Sequence, residues 1–185
     1  ETDPTQQNRL DYDLSQIIKD MDTQTIPAYA LENAGAYVMH VVNNHHVQHL
    51  DANQLSGLRG VNLQRVDVSK IATDVINDLS QEDTAHLSEE LLARFTDRQV
   101  AAFAPTAVAG FKPDQVAAFD PMAVAGFGKD QVAAFDPTAM AGFGKDHLAA
   151  FAPMAVAGFG KEQVAAFDPT AMAGFGKDQV AAFDP

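Results

Sequence analysis

Four of the six histidines lie within ten residues: His40, His45, His46 and His49. Neutral imidazole is the commonest nitrogen donor to transition metals. If this stretch is helical, His45 and His49 stand one turn apart on one face. His46 with His49 makes an alternative pair. Either is a workable start for a Zn, Cu or nickel site. A third ligand is not evident, because the chain has no cysteine and the nearby carboxylates are few, Glu32 and Asp51. The competing reading places the same histidines on the polar side of cap units whose inward positions are Val47 and Leu50.

A second set of chemically useful groups recurs further along: Asp120, Asp130, Asp136, Asp146, Glu162, Asp168, Asp178 and Asp184. Stacked in columns, such carboxylates would suit Ca²⁺. Lys129, Lys145, Lys161 and Lys177 recur on the same schedule, which favours a neutralised, solvated face. Each aspartate before a proline also has a simpler task as a helix N-cap. Catalytic constellations are absent: no serine elbow, no cysteine nucleophile, no paired acid and base. Gly126-Phe127-Gly128 reads as a turn, not a phosphate loop. His147 occupies a position where glutamine is usual and reads as a neutral substitution at an exposed site. No enzyme is expected.

What positions these groups is a repeat. The phenylalanines are Phe95, Phe103, Phe111, Phe119, Phe127, Phe135, Phe143, Phe151, Phe159, Phe167, Phe175 and Phe183, each eight residues from the next. Fixed-period self-similarity marks a repeat architecture. Two octads alternate, as in Gly128-Lys-Asp-Gln-Val-Ala-Ala-Phe135 and Asp136-Pro-Thr-Ala-Met-Ala-Gly-Phe143. One long helix is excluded, since proline recurs and an eight-residue period drifts around a helix axis. A β-solenoid is disfavoured by the Ala-Ala and Ala-Gly pairs. Very short helices fit. Asp136 caps, Pro137 takes the first helical position, and Met140 and Phe143 share a face. Gln131 can reach back to the cap. Gly144 suits a left-handed stop. Such helices are too short to stand alone and must stack on their neighbours.

The expected fold is all-α, a compact solenoid of eight-residue units with a helical N-terminal cap and the Phe column as structural core. Residues 1–44 read as an arm and non-repetitive cap, 45–95 as degenerate units, and 96–185 as the regular Phe solenoid. Glu1 to Leu10 is polar and reads as loose or as an interaction arm. Asp13 to Met21 reads as a short helix with Leu14, Ile17, Ile18 and Met21 on one face. Ile26 to Val42 is ambiguous between helix and strand. The Phe column continues backwards as Leu87 and Leu79. Beyond a five-residue insertion it resumes as Leu63/Val66, Leu55/Leu58 and Val47/Leu50. If two octads close one coil, the regular part is a rod of roughly 50 Å. The chain stops one residue pair into a new unit, at Asp184-Pro185. That reads as a piece of a longer array or as an end that another molecule covers.

Net charge is −13. Residues 1–95 carry six basic and fifteen acidic groups, and 96–185 carry six and ten, so the acidity concentrates in the cap half. An acidic chain without a basic patch argues against nucleic acid and anionic lipid as partners. No apolar run is long enough for a transmembrane segment. The lack of cysteine suits an exported protein, and the first residue, Glu1, is compatible with removal of a leading segment.

The alternating octads resemble the short Leu-Thr-x-x-Gln-[Val/Ile]-x-Ala repeats of secreted and surface adhesin-like proteins of Gram-negative bacteria. Gln99, Gln115, Gln131, Gln163 and Gln179 hold the Gln position over roughly residues 80–185. Phe stands for Leu, and Pro or Lys for Thr. The resemblance implies an exported structural role with no defined activity. The expected function is therefore a non-enzymatic extracytoplasmic structural protein: a filament subunit, stalk or spacer, assembling with protein partners or with itself through end-to-end or cap-mediated contacts. The alternative is a binding module or accessory subunit of an envelope or membrane complex, with a His-rich cap that holds a transition metal.

Overall fold

The computed structural model describes residues 3–183. Asp184 and Pro185, and with them the expected open end, lie outside the described residues, as do Glu1 and Thr2. Helices and corners account for the whole described chain, and no strand occurs in it. The regular helices are four to six residues long, such as Pro121–Val124 and Lys129–Ala134.

The two octads start their helices in different ways. In one, the aspartate before proline caps: the carboxylates of Asp120 and Asp136 accept from the amides of Met122 and Thr138, both at 2.8 Å. The proline then fills a position that needs no N–H. In the other, Gly128 opens the helix and Gln131 Oε1 accepts its N–H at 2.8 Å. The six-residue helices of the regular part end where the Phe turns extended, at φ −58° and ψ 136° for Phe135. The four-residue ones end on an alanine two residues earlier, as at Ala125. Gly144 is not a left-handed stop. It is extended, at φ −83° and ψ 175°, and belongs to the start of the next helix. Among the described residues only Gly60 has a positive φ, 54°.

Two octads do not close a coil. Hydrogen bonds between stacked layers join residues 28 and 31 apart, as from Gln131 to Phe103 and Val100 and from Gln163 to Phe135 and Val132. One coil is thus 28 residues, or three and a half octads. Helices of a turn and a half, separated by corners, need a little over three sides to close. The regular part makes about three coils, so at about 10 Å per layer it is roughly 30 Å long.

The two flavours meet the coil beneath differently. Each octad lies across the junction of the octads three and four before it. In the Asp-Pro flavour the residue before Phe passes directly over a carbonyl of the coil beneath. A Cβ on Gly126, Gly142 or Gly158 would fall well under 3.0 Å from the carbonyl oxygen of Asp97, Pro113 or Lys129. Only glycine allows that approach. The other flavour carries alanine there.

Inside, the residue three before the Phe is fully buried through most of the solenoid, as Val100, Val116, Val132 and Leu148 are, whereas Val180 near the C-terminal end is 57 % exposed. The Phe rings pack mostly edge to face along the chain, for example Phe127 on Phe135 at 5.0 Å and 72°. They also touch between coils, as Phe111 does Phe135 at 6.0 Å. This is the favoured aromatic geometry. Phe175 and Phe183 are only partly buried against the same core.

The repeat does not stop at residue 45. Inward pairs at the same spacing continue as Met39/Val42, Leu31/Ala34 and Thr23/Ile26, all buried except Ala34, which is partly so. The ambiguous stretch is helical, at Ala28–Glu32 and Ala36–Val41. The insertion is itself a short unit, a 3₁₀ turn at Val68–Lys70 that buries Val68 and Ile71. A similar five-residue step separates Ile18/Met21 from Thr23/Ile26.

The N-terminal segment is not a loose arm either. A helix runs Pro4–Lys19, with the Asp3 carboxylate accepting from Thr5 N–H at 3.0 Å. It docks through Asp11, whose carboxylate takes the Tyr37 amide at 2.8 Å. It buries Ser15 and Ile18, but Leu14 and Ile17 face out with Leu10. The expected apolar face is therefore split between core and solvent.

The glycine rule gives a paired prediction. Gly126→Ala should lower unfolding free energy by about 1–3 kcal/mol, the usual cost of overpacking. Gly128→Ala should stay within about 0.5 kcal/mol, since its Cβ would meet nothing closer than Gln131 Oε1 at 3.7 Å. Urea unfolding of both variants checks this.

Candidate functional site

The inward polar positions form a ladder that runs the length of the solenoid. At Gln131 the side-chain oxygen holds the N–H of Gly128, while Nε2 donates to Phe103 O at 2.7 Å and Val100 O at 3.0 Å. One amide thus starts its own helix and fastens it to the end of a helix one coil earlier. Gln99, Gln115, Gln163 and Gln179 repeat the arrangement. All five are buried, between 2 and 6 % exposed. A buried amide with every group bonded is stabilising, whereas one with a missing partner is costly.

Other residues extend the ladder towards the N-terminus. Gln54 donates to Ile26 O at 2.7 Å and to Thr23 O. Asn62 donates to Leu31 O and Glu32 O at 3.0 and 2.9 Å. Beside the five-residue unit, Arg94 reaches Leu63 O and Val66 O instead. Two rungs are histidines. His147 is buried, 9 % exposed, and takes over two of the three glutamine bonds, those to the helix start and to the carbonyl 28 residues back. Its Nδ1 accepts from Gly144 N–H at 3.0 Å and its Nε2 donates to Phe119 O at 2.8 Å. It is not the exposed neutral substitution expected of it.

His46 is the other. Its Nε2 bonds Ile18 O, 28 residues earlier, at 2.8 Å, and its Nδ1 bonds Thr23 Oγ1 at 2.9 Å. With both nitrogens spent inside the protein, His46 is a core rung and not a free metal ligand. His40, His45 and His49 are exposed. His40 Nε2 is 3.0 Å from the Asn44 amide nitrogen, and the His45 ring lies 6.3 Å from that of His46. Among the described residues no three ligating groups converge, so the cluster does not assemble a closed centre for Zn or Cu. The same holds for Ca²⁺ at the acidic corners. There Asp136 and Asp168 spend their carboxylates on the hydroxyl and amide of Thr138 and Thr170. Those bonds, the hydroxyl first, hold both carboxyls below their ordinary range.

The bond from each glutamine back to its own helix start was legible in the sequence; its second task, fastening to the coil beneath, was missed. Its signal was present: a polar residue recurs beside the most buried position of each alternate octad, where a surface residue would vary. Among the described residues no helix is long and apolar enough to cross a membrane. No protein-family description, curated protein or solved structure matches the chain.

His46 carries a pH prediction. Burial, the largest influence, pushes it below its ordinary value of 6.5; the Ile18 carbonyl partly opposes this, and His45 and His49 add to it. The unfolded chain therefore binds a proton that the folded protein resists. The contribution is whole above pH 6.5, falls as pH drops through it, and levels off below the folded value. Urea midpoints measured across this window should fall further for the native chain than for His46→Gln. Parallel curves would remove His46 from the balance.

Proposed function

We propose that this chain is a non-enzymatic structural repeat protein, a spacer or stalk that works outside the cytoplasm and self-associates through its cap helix. One observation carries the structural reading. Among the described residues, no buried side-chain nitrogen or oxygen lacks a partner. Most polar side chains inside the molecule are consumed in starting helices and in joining coil to coil. A catalytic or ligand site keeps convergent polar groups for its substrate, and this interior holds none in reserve.

The cap supplies the contact surface. Leu10, Leu14 and Ile17 sit at helical spacing on Pro4–Lys19 and are 59, 46 and 63 % exposed. On the opposite side of the same helix, Tyr12 packs edge to face on Tyr37, centroids 5.7 Å apart, each about half exposed. Contiguous exposed apolar side chains at regular spacing favour a protein partner. The acidic composition disfavours nucleic acid and anionic lipid. Export is supported by the lack of cysteine and by the resemblance of the octads to secreted repeats.

Light scattering at rising concentration, beside negative-stain microscopy, tests this reading. The native chain should gain mass with concentration, and Leu14→Glu/Ile17→Glu should stay monomeric with unchanged helicity. A native chain that stays monomeric at tens of micromolar, roughly the range of weak specific association, contradicts self-association through the cap.

A further inference from the structure

His147 is the one rung in the regular part of the solenoid where a titratable ring replaces glutamine. It faces Gly144 N–H through Nδ1 at 3.0 Å and Phe119 O through Nε2 at 2.8 Å. A backbone amide can only donate, and a carbonyl can only accept. The two contacts together therefore require the neutral ring with its proton on Nε2. An imidazolium would turn Nδ1–H against Gly144 N–H and leave that amide without an acceptor. Glutamine at the same place has no such second state. His46 differs, because its Nδ1 partner is the Thr23 hydroxyl, which can rotate from donor to acceptor.

The ring is poorly placed to escape. It is 9 % exposed and stands against Phe143, centroids 6.1 Å apart and planes at 76°. The charged groups nearby all point to solvent. They are Lys145 and Asp146 on its own helix, Lys145–Ala150. On the coil beneath it is Asp120, the cap of Pro121–Val124. On the coil above they are Lys177 and Asp178 of Lys177–Val180, whose Gln179 bonds Leu148 O and Phe151 O. The 3₁₀ turn Ala171–Gly174, also packed here, carries none. No carboxylate is buried beside the ring to hold its charge.

We infer that His147 is an acid-sensitive joint, at which the start of the helix Lys145–Ala150 loosens at Gly144 while the glutamine-held helix starts stay closed and the Nε2–H bond to Phe119 O on the coil beneath is kept. The ladder offers internal controls, since Gly128 N–H and Gly160 N–H are held by Gln131 and Gln163, both at 2.8 Å. The test is amide hydrogen exchange, corrected for the intrinsic pH dependence, in the full chain. Between pH of about 7.5 and about 5, where histidine gains its charge, Gly144 should lose roughly ten-fold or more protection relative to Gly128 and Gly160. His147→Gln restores the commoner octad and should bring Gly144 into line with its neighbours. The inference is overturned if Gly144 follows Gly128 and Gly160 in the native chain, or if its excess loss persists in His147→Gln.

Discussion

A helix of four to six residues cannot hold itself together, because its first amides and last carbonyls outnumber its internal bonds. Everything in this molecule follows from how those loose ends are met. A single buried amide serves both. Gln131 accepts the first N–H of its own helix and donates to the last carbonyls of a helix one coil back. The bond that starts a unit is thus also the bond that stacks it. Local and long-range order become one event, and a unit without its neighbour has no reason to be helical.

That interaction sets the demands on the rest of the octad. Carbonyls can meet the glutamine only if coils lie close, so the residue crossing the lower coil must be glycine or alanine. At Gly126, Gly142 and Gly158 even a methyl group is excluded. Close backbones leave a narrow interior, which the Phe rings fill edge to face. Because the coil takes three and a half octads, each unit meets both flavours beneath it. The sixteen-residue alternation and the 28-residue coil are therefore compatible without sharing a length.

The sequence was a good guide wherever bonding was local. Asp136 with Pro137 identified a helix start, and the buried Phe/Val spacing survived even where the residues had drifted to Leu, Ile and Thr. The same local rule, applied to Asp3-Pro4, would have found the N-terminal helix that composition alone made look like a loose arm. The coil length was not legible, since nothing within one octad says which distant carbonyl its glutamine will meet. The histidines were misjudged for the same reason. His46 and His147 look like surface or ligand residues until their partners, each 28 residues away, are known.

The 28-residue coil is the claim on which this account stands, and distance can test it directly. The chain has no cysteine, so pairs of nitroxide labels can be placed at will. Ala133 and Lys161 are both exposed and line one groove between stacked coils. Lys145 and Lys161, sixteen residues apart and both exposed, fall on opposite sides of a coil. Electron-spin distance measurements should give the shorter separation for 133–161, approaching the ~10 Å between packed helices plus the label arms. A shorter separation for 145–161 would mean that two octads close a coil, and the glutamine ladder as described would be wrong.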